Sequence, residues 1–315
     1  MDKSTNPTFN HRLQFGLFWI VERLVRLLPW RVAWAIGRWV GRMYYRADAR
    51  HRRVVRNNLR AANLDLGEAE ITALSRTCFE HFGALLFTTL RLLGATPEEL
   101  KRITRLEGRE NLEAAFAEGK GVIGLTGHFG NWELMALALS LEGRTLAVIG
   151  RALDNPLLEA ALRDFRMRFG NSVIAKDGAV RGALKALKAG QMVGFLLDQD
   201  ALAAGVFVKF MGQWASTFST AGMLAARFDL PILPISSQVH EDGTVTVRVH
   251  PPFHPTLTGD PARDTWVATQ RMTAWIEAQV RENPGQWLWM HRRFKTQPGP
   301  GEPPLPPPEW MEPHQ

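Results

Sequence analysis

Gly121-Val122-Ile123-Gly124-Leu125-Thr126-Gly127-His128-Phe129-Gly130-Asn131-Trp132-Glu133 is the stretch that decides how this 315-residue chain is read. Residues 122–126 are short, uncharged and closed by a glycine, the pattern of a buried strand ending in a turn. Asn131, or the turn from Gly127 to Gly130, can start a helix over residues 132–141 with Glu133 in its first turn. His128 then stands at the carboxyl end of a strand, facing a helix start, where open α/β sheets place their ligands. Glu133, five positions on, is near enough in sequence to hold one imidazole nitrogen and leave the other free for a proton. A base oriented by a carboxylate activates a hydroxyl nucleophile. The same residues also have a plainer use: a hydrogen-bonded loop histidine, and a first-turn glutamate complementing the helix dipole.

Outward from this stretch the chain alternates. Strands are expected at 122–126, 146–150, 172–175, 192–197, 232–236 and 244–250. Helices are expected between them at 132–141, 156–169, 180–188 and 220–228, and a long one follows at 263–281. That alternation predicts an α/β domain with a mainly parallel sheet. Residues 65–120 read as helical, interrupted near Gly94 and Pro97. The sequence therefore divides into N-terminal amphipathic helices (1–60), an α/β domain (61–295) and a Pro-rich tail (296–315) expected to lack structure.

The net charge of +7 is unevenly spread: residues 1–60 hold Lys3 and twelve arginines against Asp2, Glu22 and Asp48, so the remainder is slightly acidic. Such asymmetry points to a polyanion, either nucleic acid or an anionic membrane surface. The longest uncharged run, residues 13–21, is too short to span a bilayer. Arg12, Glu22, Arg23 and Arg26 share one helical face. Beyond Pro29, Arg31, Arg38, Arg42 and Arg46 form a second stripe, with Val32, Ile36, Trp39, Val40 and Met43 away from it. Arginine-striped, Trp-bearing helices suit the plane of a membrane interface, although helices packed on the domain with solvated arginines would read alike. No small-residue cleavage site follows the apolar run, so it does not read as a signal peptide. A lone cysteine, Cys78, excludes an internal disulfide framework. No nucleic-acid motif, phosphate loop or metal-ligand spacing is found, so no nucleic acid, cofactor or metal is expected.

Other candidates lie at the same expected sheet edge. Arg151 follows the strand at 146–150, where an arginine can bind phosphate or stabilise an oxyanion. Asp198-Gln199-Asp200 closes another apolar strand, and its acids can orient a base or cap a loop. Phe210-Met211-Gly212-Gln213-Trp214 reads as a pocket wall or as core. Trp287-Leu288-Trp289-Met290-His291-Arg292-Arg293-Phe294-Lys295 sets aromatics beside cations, suiting an anionic headgroup with acyl chains below.

Together these blocks resemble the late acyltransferases of lipid A biosynthesis. Gly127-His128-Phe129-Gly130-Asn131-Trp132-Glu133 matches the glutamate form of that family's His-x4-[Asp/Glu] motif. Arg151 with Asn155-Pro156, Asp198-Gln199-Asp200, Phe210-Met211-Gly212 and the block from Trp287 to Lys295 follow in order. The resemblance implies an αβα acyltransferase fold at the cytoplasmic face of the inner membrane. It implies an acyl-carrier-protein thioester as donor and an anionic, Kdo-bearing lipid A precursor as acceptor. His128 and Glu133 are then the expected catalytic pair. Arg151, Asn131, Asp198, Asp200, Arg292 and Arg293 are the expected substrate or oxyanion contacts. Glu-Gly occurs only at Glu107, Glu118 and Glu142, never after proline, which departs from the second motif of glycerophosphate acyltransferases. The alternatives are another lipid acceptor, such as glycerol phosphate or an amino lipid, and a non-catalytic basic membrane-binding protein.

Overall fold

The computed structural model describes residues 6–150, 152–300 and 305–311. Helices come first: α1 (Phe9–Arg26), α2 (Trp30–Ala47), α3 (Ala49–Ala61) and the long α4 (Glu68–Leu92). After α5 (Pro97–Ile103) come a short strand β1 (Thr104–Glu107) and α6 (Arg109–Ala117). The alternating region then runs β2 (Val122–Thr126), α7 (Trp132–Leu141), β3 (Leu146–Gly150), α8 (Pro156–Arg166), β4 (Ser172–Ala175), α9 (Ala179–Lys188) and β5 (Met192–Leu196). A hairpin, β6 (Val206–Phe210) and β7 (Gln213–Thr217), precedes α10 (Thr220–Phe228), β8 (Ile232–Val239), β9 (Val245–Val249) and α11 (Pro261–Glu282).

Seven strands form one sheet in the order β1-β9-β8-β2-β5-β3-β4. All neighbours are parallel except β8 and β9. Strand periodicity sorts the core into two layers. Ile123 and Leu125 of β2, with Val193 and Phe195 of β5, pack into the layer that holds α10 and α11 residues Leu224, Met272 and Ile276. Val122 and Met192 pack into the other, with Leu134, Leu137 and Ala138 of α7. The central strands β2 and β5 are thus buried on both faces, as their uncharged sequences require. The hairpin was not foreseen as strands: Met211 and Gly212 both have positive φ, the conformation of a tight hairpin turn. Phe210 and Met211 are fully buried and belong to the core, while Gly212 and Gln213 at the turn are exposed.

The N-terminal arginine stripe is corrected by packing. Helix α2 crosses α4 so closely that a Cβ on Gly41 would collide with the Phe79 carbonyl. At this crossing Arg38 and Arg42 share Glu80, each at 2.9 Å, and Arg31 reaches Asp242 at 3.3 Å. Three of the four stripe arginines therefore bind protein carboxylates. The apolar face of α1 does remain open: Phe9, Leu13, Leu17, Ile20 and Leu24, with Leu27 beyond its end, recur at helical spacing, each more than half exposed. Among the described residues no helix is long and apolar enough to cross a membrane. In the tail, a 3₁₀ turn at Pro308–Trp310 sets Trp310 6.3 Å from the ring of Trp266.

Candidate active site

His128 and Asp198 meet because of strand register. β2 and β5 run parallel with Thr126 beside Leu196. Two residues beyond each of these stand His128 and Asp198, abreast at the carboxyl edge of the sheet. Asp198 Oδ1 accepts from His128 Nδ1 at 2.7 Å. Its Oδ2 accepts the His128 backbone N–H at 2.6 Å and the indole N–H of Trp287 at 2.7 Å. Burial would raise the pKa of this carboxyl, but the His128 charge and hydrogen bonds, with that of Trp287, outweigh it and hold Asp198 at about 2. An ionised Asp198 only accepts, so Nδ1 carries a proton in either state of the ring, and in the neutral imidazole Nε2 is the nitrogen with the lone pair. The Gln199 amide points at Nε2 from 3.4 Å, and the His128 side chain is 18% exposed.

The surrounding loop is built to hold this pair. Gly130 has a φ of +58°, and a Cβ there would collide with the Ser237 carbonyl, so glycine alone suits this turn. The buried His81 of α4 lies 3.0 Å from the Gly130 carbonyl. Burial lowers its pKa to about 4, so the ring is neutral at pH 7 and donates that bond. The C-terminal segment crosses over the loop: Leu288 N–H donates to the His128 carbonyl at 3.1 Å, and Gly130 N–H to that of Gln286 at 3.1 Å. The Trp132 ring stands edge-on to the imidazole at 5.1 Å.

The structure redistributes the other expected residues. Glu133 is not the partner of the imidazole. It lies in the first turn of α7 and accepts from Arg166 Nε at 3.1 and 3.2 Å, with Arg166 Nη2 on the same carboxylate. Burial works against the Arg166 cation, and the Glu133 contacts outweigh it to raise its pKa. Arg151 lies outside the described residues. Arg166 was missed in the sequence; it occupies that part of the edge, with Nη1 3.0 Å from where a Cβ on Gly150 would stand. Asn131 is the buried N-cap of α7, its Oδ1 accepting from Leu134 N–H at 2.9 Å.

Asp200 faces the C-terminal segment: its N–H donates to His291 Nε2 at 2.9 Å and its Oδ2 accepts from Thr296 at 3.0 Å. Arg293 is fully buried, donating to the carbonyls of Gln199 at 2.8 Å and Ser216 at 2.6 Å, so it straps the loop together. Burial lowers its pKa to about 10, still a cation at pH 7. Arg292 is exposed on another cavity. Trp287, expected at a headgroup, is instead buried against Asp198.

The arrangement can do general-base chemistry: a partly exposed imidazole with its tautomer fixed by a buried carboxylate can accept a proton from a hydroxyl and later return it. The family model described as bacterial lipid A biosynthesis acyltransferase matches residues 3–296. The chain is 27% identical over 290 residues to the lipid A biosynthesis lauroyltransferase of Escherichia coli, covering 91% of each chain. It is 26% identical over 295 residues to a lipid A biosynthesis acyltransferase of Haemophilus influenzae, covering 90% of this chain and 92% of the relative. To the lipid A biosynthesis myristoyltransferase of Escherichia coli it is 26% identical over 273 residues, covering 85% of this chain and 80% of the relative. With the family match spanning nearly the whole sequence, this chain belongs to the bacterial lipid A biosynthesis acyltransferase family.

Proposed function

We propose that the protein transfers a fatty acyl group from an acyl-carrier-protein thioester to a hydroxyl of a Kdo-bearing lipid A precursor, working at the cytoplasmic face of the inner membrane. The observation that carries this reading is the Asp198–His128 pair, with Nε2 turned away from Asp198 at the sheet edge beside the Gln199 amide. Nε2 takes the proton of the acceptor hydroxyl as its oxygen attacks the thioester carbonyl. The carbon–sulfur bond then breaks, and the imidazolium returns the proton to the departing thiolate. Asp198 holds the ring and stabilises the transient imidazolium. Glu133 keeps its catalytic importance in this reading, but through Arg166, whose charge it positions at the end of β3. The open apolar stripe of α1 lies in the leaflet, bringing the site to an acceptor whose acyl chains cannot leave it.

The test is transfer by His128→Ala with a matched acyl donor, alongside mass spectrometry of lipid A from cells with and without the gene. The expected outcome is a rate lower by about 10²–10⁴-fold and lipid A lacking one ester-linked chain. Near-wild-type transfer by His128→Ala would remove the mechanism.

A further inference from the structure

Between α3 and residues 292–295 lies a cavity of about 540 Å³. Arg50 and Arg53 line it from α3, and Arg292 and Lys295 from the C-terminal segment, with Asn57 and Phe294 between them. All four cations are exposed, and among the described residues no carboxylate lines the space. None of the four side chains has an ion pair or hydrogen bond to another described residue, unlike the other arginines of the same helix. Arg56 and Arg60 bind Glu68, and Arg52 is tied to the carbonyls of Tyr45 and Arg46. The two α3 arginines without a partner are the two that line the cavity.

Four like charges brought together without a counter-ion repel one another, and a bound anion relieves that repulsion. Their arrangement selects the kind of anion. Two pairs, each spaced three residues apart, approach a concave space from opposite walls, which suits a compact, multiply charged group. A protein partner needs a broad face of about 800 Å² per side. The volume lies within the range of small-molecule sites and exceeds what inorganic phosphate fills. Arginine and lysine together suit a phosphate ester, the first through forked hydrogen bonds and the second as a point charge.

We propose that this cavity binds a phosphate monoester carried by a sugar or a lipid headgroup, at a site separate from His128. The two sites share one wall: Asn58 donates to the carbonyls of Trp289 and His291 at 2.8 and 2.7 Å, and Leu288 of that segment holds the His128 carbonyl. Binding is nevertheless readable without transfer activity.

The experiment is calorimetry on the full chain in detergent, with glucose-1-phosphate, inorganic phosphate and glucose as probes. Wild type is expected to bind glucose-1-phosphate saturably, one per chain, more tightly than inorganic phosphate, and not to bind glucose. Arg50→Gln/Arg53→Gln and Arg292→Gln/Lys295→Gln should each bind at least about tenfold more weakly, because each loses two charge-assisted contacts. Where a double variant does not melt as wild type, Arg53→Gln and Lys295→Gln are read singly. Phosphatidylcholine vesicles doped with phosphatidic acid separate the sources. If these vesicles weaken glucose-1-phosphate binding and plain phosphatidylcholine vesicles do not, the cavity accepts a lipid headgroup; if the two kinds of vesicle act alike, the ligand is a soluble ester. The proposal is overturned if neither phosphate probe binds wild type saturably, or if all variants bind as wild type does. It is equally overturned if the variants lose binding only to an acidic protein such as apo-acyl-carrier protein.

Discussion

At the scale of single residues, the three hydrogen bonds on Asp198 decide the chemistry, because they keep a buried carboxylate ionised and the imidazole in one tautomer. Nitrogen-15 spectra of the His128 ring at neutral pH should show the proton on Nδ1 in wild type and in Glu133→Gln. Asp198→Asn should disturb that tautomer. The Glu133→Gln change acts elsewhere: it leaves the half-buried Arg166 without its carboxylate, and a loss of about 1–3 kcal/mol in denaturant unfolding is expected. His128 is legible in the sequence because a glycine closes an apolar strand just before it. Asp198 is legible as a strand-end acid, but its pairing with His128 is not. That pairing follows from β2 lying beside β5 in one register, a tertiary fact with no local trace, whereas Glu133 is a local neighbour and so the natural candidate. Arg166 gives no signal either, since a basic residue in the last turn of a helix ordinarily serves the helix dipole.

At the scale of elements, the crossing of α2 over α4 rests on backbone contact, and two helical glycines show the difference. Gly41→Ala forces a Cβ into the Phe79 carbonyl and should cost about 1–3 kcal/mol of stability. Gly16→Ala, in α1, meets nothing within 4 Å and should be neutral or stabilising by up to about 1 kcal/mol. Urea titrations of the two variants make the comparison. The parallel strands β2 to β5 are legible because they are uncharged, short and separated by helices. β4 and α7 have the expected limits, while β8 runs on to Val239. β1 was hidden in a helical region: it has four residues and takes its order from pairing with β9, 141 positions on at Thr104–Val245. The β6–β7 hairpin was masked because its turn uses Met211 at positive φ instead of an Asn-Gly pair. In α2 the arginine periodicity was visible, but the Glu80 that binds Arg38 and Arg42 comes from another helix.

At the scale of the whole molecule, buried histidines make the fold sensitive to acid. Burial lowers His81 to about 4 and lowers His250 and His291 as well. The unfolded chain therefore takes up protons near pH 6.5 that the folded chain refuses until lower pH, nearer 4 for His81. Stability must fall as pH descends through that window. His254 opposes this, because bonds to Glu118 and Asp229 raise it, but it is only partly buried and solvent screens those contacts. Asp198 adds a second loss only below about pH 4, as its folded pKa of about 2 is approached. Between pH 7 and pH 5, His81 alone accounts for about 2 kcal/mol. His81→Gln keeps an N–H for the Gly130 carbonyl without titrating, so its melting temperature should fall less steeply over the same range. The central claim concerns how strand register converts two separated residues into one catalytic pair. Its most direct test is the rate of acyl transfer by Asp198→Asn with saturating donor and acceptor. A fall in kcat of about 10⁴-fold with a folded protein is the result expected of a base that has lost its orienting carboxylate, and a kcat within about tenfold of wild type would contradict it.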